Sequence, residues 1–116
     1  MSDDFTQDFN SQLGLQPGSD SRSVVLDTRP EHQIAPGVIH FAVLATLAEV
    51  SAARAVGAPV VPASITLNLL ARAAPGRLEG RGTIVKQGRR LTVAEGEVHQ
   101  GDRLVAKATI TFAMLQ

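Results

Sequence analysis

Along the chain the apolar positions change period several times, and each change marks an element. Phe5, Phe9 and Leu13 recur every fourth residue within an Asp-rich stretch and predict a short amphipathic helix that ends near Gly14. Gly18 to Ser23 reads as a loop and Ser23 to Thr28 (SVVLDT) as a first strand, followed by the turn-rich connector RPEHQIAPG. From Ile39 to Val56 there is no Pro or Gly and much Ala and Leu, so a long helix is expected, stopped by Gly57 and Pro59. Its apolar residues (Phe41, Val43, Leu44, Leu47, Val50 and the alanines) run nearly all the way round, the pattern of a helix enclosed by protein.

Beyond Pro59 the period becomes two. Val60–Leu70, Arg77–Gln87, Leu91–Gln100 and Arg103–Leu115 are rich in Val, Ile, Thr and Leu, and AAPG, GRR and QGD separate them. Such short links predict four antiparallel neighbours in a meander. The expected fold class is therefore α+β: one antiparallel sheet of about five strands wrapped around a single long central helix. Residues 1–22 read as an N-terminal segment with a short helix and 23–116 as one domain, which suits a chain of 116 residues.

Composition narrows the chemistry. Eleven basic and eleven acidic residues cancel, which gives no footprint of a nucleic-acid binder. There is no cysteine, hence no disulfide, thiolate metal site or thiol nucleophile. His32, His40 and His99 have no metal-ligand spacing, so no metal is expected, and His32 and His99 are expected at the surface. No secretory signal is evident, and the run from Val38 to Val50, interrupted by His40 and Glu49, is too short to cross a bilayer. A soluble, cytoplasmic protein without membrane contact is expected.

Glu49 stands out. It is the only acidic residue between Glu31 and Glu79, and it lies in the most apolar segment of the chain. Burial raises a carboxylate's pKa toward the range of a useful base, which is one reading; a structural ion pair is the other. Arg54, five positions on, is poorly spaced to pair with it along a helix. The helix start near Ile39 to Ala42 has no Ser, Thr, Asp or Asn cap, which leaves N–H donors for a ligand. His40 at that start reads first as a structural hydrogen-bonder.

The helix, the strand SITLNLLARAAPG, the segment GRGTIVKQGRRLTVAEGEV and the ending DRLVAKATITF together resemble the hotdog-fold acyl-CoA thioesterases of the phenylacetate-pathway (PaaI-like) type. The likeness runs from about Val24 to Ala113, and its most specific element is His40 followed nine residues later by Glu49. The resemblance implies the hotdog fold and hydrolysis of an acyl-CoA or aryl-CoA thioester, with no cofactor beyond the coenzyme A of the substrate. It assigns Glu49 as general base or nucleophile and Ser64 as a polar group that orients water, and it places the oxyanion donor at the helix start. It also implies that the turn Gly88, Arg89, Arg90 holds the CoA phosphates, although a solvated hairpin would look the same.

Two departures fall at the implied site. His40-Phe41-Ala42 stands where the family usually has His-Gly-Gly, and Ile34 stands where an Asn is common, so an apolar substrate pocket is expected. Nine helical residues span roughly 13 Å, too far for Glu49 and the helix start of one chain to share a substrate atom. A homodimer or dimer of dimers is therefore implied. The alternative is a non-catalytic hotdog module that binds an acyl or CoA ligand.

Overall fold

The computed structural model describes residues 8–115. Phe5 and the rest of 1–7, where the sequence places the beginning of the first helix, lie outside the described residues; the helix observed, α1, is Phe9–Leu13. There follow β1 (Gln16–Pro17), β2 (Ser23–Asp27), a single 3-10 turn (Pro30–His32), β3 (Gln33–Ala35), β4 (Val38–Ile39), α2 (Phe41–Val56), β5 (Val60–Leu69), β6 (Arg77–Lys86), β7 (Leu91–Gln100) and β8 (Arg103–Met114). One antiparallel sheet has the order β1-β2-β6-β7-β8-β5, and β3 and β4 form a separate small ribbon. Five long strands and one long helix make the expected α+β arrangement, with the two-residue β1 added at one edge.

The expected four-strand meander is corrected. Of the four strands after α2, only β6, β7 and β8 are sequential neighbours; β5 pairs with β8 at the far edge. Its short link to β6, residues 70–76, is no hairpin but a strap across the end of the sheet. The N–H groups of Leu70 and Ala71 both donate to Val105 C=O, at 2.9 and 3.2 Å. Further along, the Gln100 side-chain amide brackets Ala74, accepting from its N–H at 3.0 Å and donating to its C=O at 2.6 Å. These bonds satisfy the crossing backbone, so a link of hairpin length can pass over two strands.

Helix α2 lies against one face of the sheet. Leu47, Ala48 and Ala52 are fully buried against Leu78, Ala94, Val98, Ile110 and Phe112. The helix can come this close because the sheet offers glycines beneath it: a Cβ at Gly96 would overlap Ala48 C=O, and one at Gly82 would overlap Ser51 C=O. The chain's own sheet covers only this side. The opposite face of α2, read from sequence as enclosed, is left open at Phe41, Ala42 and Arg54, with Glu49 half-buried. A single chain has one sheet face to offer the helix, and an all-round apolar helix needs a second cover.

Two smaller expectations change. His32, expected at the surface, is 3% exposed: the 3-10 turn folds its ring inward, Nδ1 accepts the Arg29 N–H at 2.9 Å, and its C=O accepts the His40 N–H at 2.9 Å. His99 is half-exposed beside Glu97. No helix among the described residues is long and apolar enough to cross a membrane.

Candidate active site

The start of α2 is capped after all. His40 is the N-cap, and its ring Nδ1 accepts the Ala42 N–H at 2.9 Å, the role a Ser or Asp side chain usually plays. Its C=O accepts the Val43 N–H at 3.0 Å. Ala42 and Val43 are therefore occupied, and the Phe41 N–H is left without a hydrogen bond among the described residues. It is the one amide at this helix start available to a ligand, at the end where the dipole favours negative charge. The Phe41 ring stacks on His40 with centroids 4.7 Å apart and is 52% exposed.

The candidate residues gather in two clefts at opposite ends of α2. The first, about 380 Å³, lies at the helix start between Ile34, Ile39, Phe41, Leu44, Leu69 and Leu70. It brings together Ile34 and Phe41 in a largely apolar lining. The second, about 550 Å³, holds Glu49 together with Asn10, Val50, Arg54, Val60 and Pro62. Burial alone holds the Glu49 carboxyl above the ordinary carboxylate range. It has no ion pair or hydrogen bond among the described residues, and Arg54, exposed one turn and a half further on, does not reach it.

Ser64 is placed elsewhere. On β5 it pairs in register with Thr111, whose neighbours Ile110 and Phe112 point at α2, so Ser64 faces away from the helix and from its own chain's Glu49. The turn 87–90 sits at the Glu49 end of the molecule, where the Arg90 C=O accepts the Met114 N–H at 2.8 Å. Arg89 and Arg90 are exposed there, while the Gly88 N–H is taken within the turn by Thr92 Oγ1 at 3.2 Å. Among the described residues no group of three or more His, Asp or Glu side chains is placed to hold a metal ion. Sequence reasoning misses Asn10, which nothing in the local pattern connects to Glu49.

The two clefts share one strand. The helix-start cleft borders the C-terminal end of β5 and the Glu49 cleft its N-terminal end. Every residue of β5, the last strand of the sheet, is exposed or half-buried, with Val61, Ile65 and Leu69 at 45, 47 and 53% exposure.

A family model for the acyl-CoA thioesterase N-terminal domain matches residues 29–113. The chain belongs to this family. Its fold is the hotdog fold, and among solved structures it is similar to the conserved protein PA5202 of Pseudomonas aeruginosa, with 29% identity over 92% of this chain and 93% of that one and a TM-score of 0.83. It is also similar to a mutant of the phenylacetic acid degradation protein PaaI of Thermus thermophilus, with 28% identity over 92% of this chain and 98% of the other and a TM-score of 0.82. No curated relative matches the chain. The PaaI-like resemblance read from the sequence thus holds for family and fold.

Proposed function

We propose that this thioesterase-family protein hydrolyses acyl-CoA or aryl-CoA thioesters to the free acid and CoA, with Glu49 as general base or nucleophile, in a site shared by two copies of the chain. The observation that carries the reading is Glu49 itself, half-buried, without an ion pair or hydrogen bond among the described residues, and opening into a cleft. A structural ion pair would have a partner; a working base needs to be reachable and easily protonated.

Two copies complete what one lacks. If β5 pairs with β5 of a second copy about a two-fold axis, the strands run antiparallel and the Val60 end of one meets the Leu69 end of the other. That brings the Glu49 cleft of one chain beside the helix-start cleft of its partner. It also pairs the open edge of β5, which a lone monomer would leave available to aggregation. Dimer or dimer of dimers are both compatible with this pairing.

In the general-base form, Glu49 takes a proton from water as the water oxygen bonds to the thioester carbon. The carbonyl electrons move onto its oxygen, and the N–H of Phe41 of the partner subunit donates to that oxyanion. Collapse of the tetrahedral intermediate breaks the C–S bond, and the proton held by Glu49 passes to the departing thiolate. The acyl group lies in the apolar helix-start cleft, and exposed Arg89 and Arg90 offer their charge to the CoA phosphates.

The test is thiol release from a panel of acyl-CoA and aryl-CoA thioesters by wild type, Glu49→Gln and Glu49→Ala. Turnover by wild type that falls about 10²- to 10⁴-fold in both variants, with the oligomer intact, is the expected result. Absence of turnover on every thioester, with acyl-CoA binding that Glu49→Gln leaves unchanged, would instead identify a binding module.

A further inference from the structure

Glu49 does not stand alone in its cleft, and what stands with it is selective. Among the described residues lining that cleft, the side chains of Val50, Ala53, Ala58, Pro59, Val60 and Pro62 are apolar, which leaves Asn10 and Arg54 as the other polar side chains beside Glu49. Both come into play at once when a water is to be activated. A water that attacks a carbonyl carbon must turn a lone pair toward it, so both of its hydrogens need acceptors. Glu49 accepts one. Arg54 cannot accept the other, because a guanidinium only donates, whereas an Asn side chain carries a carbonyl oxygen.

Asn10 belongs to the N-terminal segment, outside the helix-and-strand core, yet it is held in place. Asp8 caps α1 by accepting the Ser11 N–H at 2.7 Å, and Leu13 and Leu15 pack against the core. Arg29 Nη2 donates to Gln12 C=O at 2.6 Å, tying the end of α1 to the turn after β2. The Asn10 C=O is used by the N–H groups of Gly14 and Leu15 at 3.2 and 3.1 Å, while its side-chain amide makes no hydrogen bond among the described residues. An anchored backbone with an uncommitted amide in the cleft that holds Glu49 is the arrangement of a positioning group.

We infer that Asn10 is a positioning residue for hydrolysis: its side-chain oxygen accepts the second hydrogen of the attacking water and fixes that water between Glu49 and the thioester carbon. The inference rests on the hydrolytic reading of Glu49. It assigns the N-terminal segment a place in the site.

The experiment compares wild type, Asn10→Ala, Asn10→Asp and Glu49→Gln in the full chain, each followed by kcat and KM against pH on the best thioester. Asn10 is exposed, so the substitutions do not threaten the fold. With a positioned water, Asn10→Ala lowers kcat by roughly 10-fold or more at every pH, leaves KM within about twofold, and does not move the acid limb of the profile. Asn10→Asp places a second carboxylate beside Glu49 and moves that limb to higher pH. An Asn10→Ala enzyme with unchanged kcat, or one whose loss lies in KM, would overturn the inference while leaving Glu49 catalytic. Loss of the whole reading looks different: no turnover in wild type, or turnover that Glu49→Gln retains, would overturn both.

Discussion

A half-buried carboxylate binds its proton more tightly than one in water, and for Glu49 this has two measurable effects of opposite sign. In the proposed role of Glu49 as base, only the deprotonated carboxylate works, so kcat/KM should rise with pH through the Glu49 pKa and level off above it, with a midpoint above the ordinary glutamate value near 4.3. Stability should move the other way. The folded state has the higher pKa, so it holds the proton longer than the unfolded chain as pH rises. The stabilisation is complete below the unfolded value and is lost through the folded one. Glu49→Gln, which keeps the neutral shape, should therefore unfold at about the same temperature as wild type near pH 4 and at a higher temperature at neutral pH. Melting curves of the two proteins across that range check this, and a gap that fails to widen with pH would contradict a desolvated Glu49.

At the scale of elements, the position of Glu49 depends on how closely α2 can approach the sheet. Gly82 and Gly96 lie directly beneath Ser51 and Ala48, on the stretch of helix that also carries Glu49. Gly96→Ala drives a methyl group into helix backbone and should cost about 1–3 kcal/mol, read as a shift in the denaturant midpoint at unchanged m. Alanine at the exposed Gly101, which has open space around it, would test only the strain of its turn. The elements themselves are legible in the sequence: α2, read as Ile39 to Val56, is Phe41–Val56, and each long strand lies within one or two residues of its expected span. Periodicity is local, and it carries that far. It does not say which strand lies beside which, and so it sets β5 next to β6 although the link between them crosses the sheet end. For the same reason Glu49 is visible as a lone acid in apolar sequence, whereas Asn10 and the glycines beneath α2 owe their meaning to approaches between distant segments. His40 reads as an uncapped start because its ring is not among the usual capping groups.

For the whole molecule, the separation of Glu49 and the Phe41 N–H into two clefts makes a prediction about mixed assemblies. Phe41→Pro removes the free amide, and proline suits the first position of a helix; the extended His40 backbone before it, at φ −63 and ψ 138, already accepts a following proline. Phe41→Pro and Glu49→Gln should each be inactive alone, Phe41→Ala serving as the control that keeps the amide. Refolded together in equal amounts they should regain about a quarter of wild-type activity, since half the dimers are mixed and each of those holds one intact site of two. Recovery of none would place both groups in one chain's site.

The open edge of β5 has a further consequence, one of concentration. A catalyst whose site closes only between two chains loses specific activity on dilution, because the concentration of active pairs falls with the square of the free monomer where dissociation dominates. With the proposed two-chain site, substrate acts as a clamp as well as a reactant. A thioester that bridges both chains binds the pair and not the single chain, so by mass action it draws monomers together. At enzyme concentrations near the dissociation midpoint, progress curves should begin with a lag that shortens as thioester is added.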